Sequence, residues 1–200
     1  MARTDGDGVR AEPGKGMAML TLDQNPPMLA PWVQTLADLP GLWWVGHTRS
    51  RFEKTFAWDM LRRNIGFYLP MVQRVTVSHG VKRRVLLPMF SGYVFFCGTE
   101  ADRYAALATN RLCQAIRILD QESVARELLS IERAMANKAQ LDPYPFAAQG
   151  QRCRVTSGPF QGLEGIVVQR TNLARLVLQV TILGQGASLE IDVDLLEPIA

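Results

Sequence analysis

The chain has 200 residues, of which 48% are hydrophobic and 20% charged, with 22 basic and 19 acidic side chains giving a net charge of +3. That length holds at most two small domains, on a scale of about 100–200 residues each. No apolar run approaches the roughly 18–20 residues that span a bilayer, and the polar, Gly-rich start lacks the apolar stretch of a signal peptide. The expectation is a cytoplasmic chain with no membrane partner. Cys97, Cys113 and Cys153 stand apart, with no C-x-x-C pair or Cys/His cluster. Buried reduced thiols are expected, with no metal, disulfide framework or cofactor.

Residues 1–40 contain Gly6, Gly8, Gly14 and Gly16, then Pro26, Pro27, Pro31 and Pro40, and no sustained apolar period, which reads as a disordered extension. Leu42 to Gly46 is a short apolar run, expected to be a buried strand. Ser50 and Glu53 have the capping-box spacing, and Phe52, Phe56 and Met60 recur every four residues behind it, so a helix opens there. Arg62 and Arg63 suit its last turn, and Gly66 is a candidate left-handed stop. Phe67–Ser78 and Val81–Pro88 read as a hairpin turning at His79-Gly80, with Lys82, Arg83 and Arg84 near the tip. Tyr93–Cys97 is a further strand. Thr99 and Asp102 repeat the capping spacing before a short helix over 100–108. Gln114–Leu119 reads as a strand. Val124, Leu128, Ile131 and Met135 mark an amphipathic helix over 121–137.

Asp142-Pro143-Tyr144-Pro145 cannot continue a helix and places a linker at 139–149. After Gly150 the character changes to four short strands over 152–157, 165–170, 175–183 and 187–193. Leu189, Ile191 and Val193 alternate with acidic residues, the pattern of a half-buried strand. A unit of this size suits a small closed barrel, because closure removes edges.

Charge is unevenly placed. Residues 41–98 carry nine basic and two acidic side chains, whereas residues 150–200 carry four and five. A polyanion is the natural partner of the first segment. His47 and His79 are the only histidines, and neither stands in a Ser/His/Asp or Cys/His arrangement. No catalytic residues are expected.

Two segments carry a family resemblance. Gly150-Gln151-Arg152-Cys153-Arg154-Val155-Thr156-Ser157-Gly158-Pro159-Phe160-Gln161-Gly162-Leu163-Glu164-Gly165 looks like a KOW motif. Upstream, Trp43-Trp44-Val45, Arg51-Phe52-Glu53-Lys54, Tyr68-Leu69-Pro70 and Phe90-Ser91-Gly92-Tyr93-Val94-Phe95 follow in an order that resembles the N-terminal (NGN) domain of the NusG family of transcription elongation factors. The resemblance covers about 155 of the 200 residues. It implies an α+β fold: an NGN-type α/β sandwich over 41–138, an antiparallel sheet flanked by helices, followed by a small SH3-like β-barrel (KOW) over 150–200.

The resemblance also implies roles. His47, Phe90, Tyr93 and Phe95 would bind the clamp helices of RNA polymerase, using aromatic anchors in a helix-docking surface. Arg49, Arg51 and Lys54 would lie along the non-template DNA strand. Ile182 and Leu183 would recruit a small-subunit ribosomal protein or Rho through the KOW domain, with the factor itself a monomer. Ser91 and Leu183 stand where the family usually has proline and phenylalanine. Together with the N-terminal extension, they imply a specialised paralogue of the RfaH, capsule-locus antiterminator type. A KOW-containing RNA-binding protein associated with the ribosome is the alternative, against which the acidic balance of residues 150–200 speaks.

Overall fold

In a computed structural model the protein is described over residues 24–78, 81–144, 148–170 and 173–199. The front half is built on a four-stranded antiparallel sheet. Its strands are β1 (Leu42–Thr48), β2 (Gly66–Tyr68), β5 (Tyr93–Gly98) and β6 (Leu112–Arg117), in the order β2-β5-β1-β6. β3 (Met71–Ser78) and β4 (Val81–Pro88) form a separate two-stranded ribbon. The expected strand over 67–78 is therefore two strands. They part at Leu69–Pro70, where proline has no N–H for a ladder, and one joins the sheet while the other joins the ribbon. His79 and Gly80, the expected turn, lie outside the described residues.

Helices cover both faces of the sheet. Phe56 of α1 (Glu53–Arg62) meets Phe96 edge-on at 5.9 Å, and Phe96 stacks on Trp44 at 6.5 Å. Arg103 of α2 (Glu100–Leu107) lies over the same Trp44 ring. On the opposite face, the Tyr68 hydroxyl donates to Met135 Sδ of α3 (Gln121–Ala136). The result is the expected α/β sandwich, with alternate residues of β1 and β5 serving the two layers.

The two capping-box spacings have different outcomes. Thr99 and Asp102 form theirs, each satisfying a backbone N–H of the other. The Ser50–Glu53 pair does not, and α1 has no side-chain cap. Its stop also moves: Asn64, at φ 56°, takes the left-handed position, and Gly66 begins β2.

Residues 24–40 pack on this half, against the expectation of an extension without structure. Leu29 bridges to Tyr68, Leu69 N–H donates to Met28 O at 2.7 Å, and Leu36 N–H donates to Glu132 Oε1 at 3.1 Å. Ala30, Leu36 and Leu39 join the core, so the apolar residues among the prolines supply enough burial to hold the segment. Residues 1–23 of the expected extension lie outside the described residues.

The second half is a six-stranded antiparallel sheet in the order β12-β8-β9-β10-β11-β7. Its strands are β7 (Asp142–Tyr144), β8 (Gln151–Val155), β9 (Glu164–Arg170), β10 (Leu173–Val180), β11 (Gln185–Asp192) and β12 (Leu196–Pro198). β7 comes from the expected linker and pairs along β11. Among the described residues β7 and β12 end the sheet without pairing to each other, so the closed barrel expected from the sequence is not formed. Adding an edge strand from the linker extends the sheet instead of closing it. Cys97 and Cys153 are buried, as expected, whereas Cys113 is exposed.

Candidate functional site

The expected site residues of the front half gather where β1 ends, α1 begins and the 89–92 turn enters β5. His47 and Tyr93 are cross-strand partners, and their rings stack at 5.1 Å with planes 22° apart. Both are half-buried. The register of β1 against β6 shifts between His47 and Thr48, an irregularity that re-aims side chains where the strand leaves the sheet.

The turn beside them is clamped from two directions. The Gly92 carbonyl accepts from Thr48 N–H at 2.8 Å, and the Gly92 N–H donates to Glu53 Oε1 at 2.7 Å. Gly92 sits at φ 84°, which suits glycine alone among ordinary residues. The capping box is missing because α1 begins at Glu53 with Phe52 as its N-cap, so Ser50 lies outside the helix end. The Glu53 carboxylate, buried at the start of α1, finds a long-range N–H in place of the one at its own helix end.

Phe90 and Phe95, expected on the docking surface, are core residues at 2% and 0% exposure. They meet edge-on at 6.0 Å. Phe95 shares its face of β5 with Tyr93 but lies two residues further into the sheet, opposite Val45 on one side and Tyr68 on the other. Only Tyr93, at the strand's first position, reaches the rim. The expected four-residue patch reduces on this surface to His47 and Tyr93, with the two phenylalanines supporting them from beneath.

Arg49 and Arg51 are exposed on the loop between β1 and α1. Arg51 holds φ 65°, the left-handed region that costs a non-glycine residue about 1–2 kcal/mol. Lys54 is differently placed from the expectation. Its ammonium donates to the Leu86 carbonyl of β4 at 2.5 Å, and partial burial lowers its pKa while the neighbouring Glu53 charge opposes that shift. It ties α1 to the base of the ribbon and is not a free cation beside the two arginines.

Arg111 completes the site and was not legible from the sequence. Its carbonyl accepts from Arg49 N–H at 2.9 Å, its Nε pairs with Asp59 at 3.1 Å, and its guanidinium stands 5.2 Å from the centre of the Phe52 ring. Asp59 also pairs with Arg62. Nothing local marks Arg111, because its partners lie about fifty to sixty positions away.

Ile182 and Leu183 fall in a 3-10 turn, Thr181–Leu183, which replaces the end of the expected strand over 175–183. Gly184 follows at φ 60°. Both side chains are half-buried. The adjoining Thr181 donates through N–H and Oγ1 to the Glu127 carboxylate of α3, at 3.0 and 2.5 Å, so this loop abuts the front half. Among the described residues no three His, Cys, Asp or Glu side chains are grouped to hold a metal ion, and no helix is long and apolar enough to cross a membrane.

The segment that carries this sheet and the clamped 89–92 turn has a match among known families. Residues 41–139 match the NusG family, described as transcription termination factor nusG. The front half is NusG-like. The match stops before the second sheet, which stands outside it. No curated protein matches the chain. Among solved structures, the chain is similar to one described as the crystal structure of an MjSpt4:Spt5 complex in conformation B. The identity is 15%, over 80% of this chain and 97% of that one, with a TM-score of 0.25.

Proposed function

We propose that this chain is a transcription elongation factor of the antiterminating kind that works by binding and has no catalytic step. The observation that carries the reading is the NusG match over 41–139, the segment that also holds the chain's concentrated positive charge. In this reading the rim formed by His47 and Tyr93 docks on the clamp helices of RNA polymerase. A stacked pair that is half-buried before binding loses little side-chain freedom on docking, which favours an anchor role. Arg49 and Arg51 then face the non-template strand, where exposed guanidinium groups add salt-dependent affinity. The strain held at Arg51 accords with that use, since glycine would occupy the position at less cost.

Ile182 and Leu183 serve a second protein partner, for which a ribosomal protein of the small subunit and Rho are the candidates. The mechanism is population shift: the factor binds the pause-free state of the polymerase more tightly than the paused state. The specialised-paralogue reading and a cytoplasmic site of action go with it.

A run-on transcription assay across a terminator tests the function. The intact protein is expected to shorten pauses and raise read-through. Pausing and read-through that are unchanged at saturating protein would overturn the reading.

A further inference from the structure

The β3–β4 ribbon pairs with no other strand among the described residues. Directly opposed residues of an antiparallel pair share a face. One face therefore sets Val75 opposite Arg84 and Val77 opposite Lys82. All four are exposed, the valines by 62% and 65%. The other face contributes to holding the ribbon to the body, together with Met71 and Leu86 at its base. It buries Val85 and sets Arg74 on Asp142 at 2.6 Å. Lys54 adds its bond to the Leu86 carbonyl at the ribbon's base. The outward face is thus presented on an anchored support.

The charge on this ribbon is of one sign. Residues 71–88 contain no carboxylate. Among the described residues, the side chains of Lys82, Arg83 and Arg84 have no ion-pair or hydrogen-bond partner. Three uncommitted cations and three bare valines on two strands, Val75 and Val77 on the outward face and Val81 near the tip of the other, are an unusual surface for a chain to maintain in water.

We propose that the ribbon seats in the major groove of duplex DNA, with its Val75–Val77 face toward the base edges. Two strands about 4.8 Å apart, with side chains, match a groove about 12 Å wide, which admits a two-stranded ribbon. Lys82 and Arg84, opposite the valines, reach the phosphates that line the groove. The valine methyls meet the apolar part of the groove, the thymine methyl groups. Duplex RNA is the poorer fit, because its major groove is deep and narrow. This surface is separate from the His47–Tyr93 rim and does not depend on polymerase binding.

Fluorescence anisotropy of the intact protein tests it, using a labelled DNA duplex of about 20 base pairs, two helical turns. An RNA duplex of the same sequence and the single DNA strand are measured beside it. Lys82→Gln with Arg84→Gln is expected to weaken duplex DNA binding about tenfold or more and to reduce the salt slope by about 2, close to 0.9 for each phosphate no longer neutralised. Val75→Ser with Val77→Ser should weaken binding and leave the slope unchanged. Arg117→Gln with Lys138→Gln, which removes the same charge elsewhere, should bind like the parent. Circular dichroism establishes that each variant is folded. Equal losses in the ribbon and control variants would overturn the proposal by reducing it to net charge. Equal ribbon dependence for duplex RNA or the single strand would overturn the groove. Unchanged DNA binding, with loss of an acidic protein partner instead, would make the ribbon a protein dock.

Discussion

Replacing Phe95 with alanine is expected to cost about 3–5 kcal/mol of folding stability, the range for emptying a fully buried aromatic site. The ring has no solvent exposure, meets Phe90 edge-on, and stands in the middle strands of the front sheet between Val45 and Tyr68. Collapse around the cavity is resisted on both sides, because those neighbours are held by ladder hydrogen bonds. Tyr93, two residues earlier on the same face, should cost far less when truncated, since it is half-buried at the rim. Denaturant unfolding of the two variants measures the contrast. A Phe95→Ala protein within about 1 kcal/mol of the parent would contradict the buried assignment. The consequence for function is direct: loss of polymerase binding in that variant would report on folding and not on docking.

Removing the Glu53 carboxylate is the second large effect. Glu53→Ala is expected to cost about 1.5–3 kcal/mol, because it deletes a charge-assisted hydrogen bond and leaves the Gly92 N–H without its acceptor. The effect reaches the site, since Gly92 is the residue before Tyr93 and its carbonyl also holds Thr48. Glu53→Gln keeps a carbonyl oxygen at the same reach and should recover most of the loss. Amide hydrogen exchange at Gly92 gives an independent reading, with faster exchange expected in the alanine variant alone. Unchanged stability and unchanged Gly92 protection in Glu53→Ala would contradict the clamp.

Glu53 also shows how far the sequence could be read. Its spacing from Ser50 is identical to that of Thr99 and Asp102, yet one pair caps its helix and the other does not. The difference lies in where each helix begins: Thr99 is the N-cap of α2, whereas a turn over 49–52, with Arg51 at φ 65°, delays α1 to Glu53 and leaves Ser50 outside the cap. Distance hid Arg111, whose side-chain partners are all far away in sequence. Periodicity did place the elements themselves. The four-residue recurrence behind Ser50, the alternation in β11 and the 124–135 apolar stripe each correspond to an observed helix or strand.

The sequence pattern is ambiguous where one segment serves two neighbours. Leu69–Pro70 divides a continuous apolar run between the sheet and the ribbon. Asp142–Tyr144 reads as linker because of its proline, yet it pairs on the edge of β11, where a missing N–H is tolerated. Aromatic residues posed the hardest case. Phe90, Tyr93 and Phe95 look alike as candidate anchors in the sequence, and only depth in the sheet separates the two that support from the one that reaches the rim.

The most direct measurement is the affinity of the intact chain for core RNA polymerase, with and without the His47→Ala and Tyr93→Ala substitutions. The parent is expected to bind. Each substitution should weaken the complex by about 1–3 kcal/mol, as truncating an anchor does, while the melting temperature stays near the parent's. Full affinity in a folded protein that carries both substitutions would contradict the docking role of this rim.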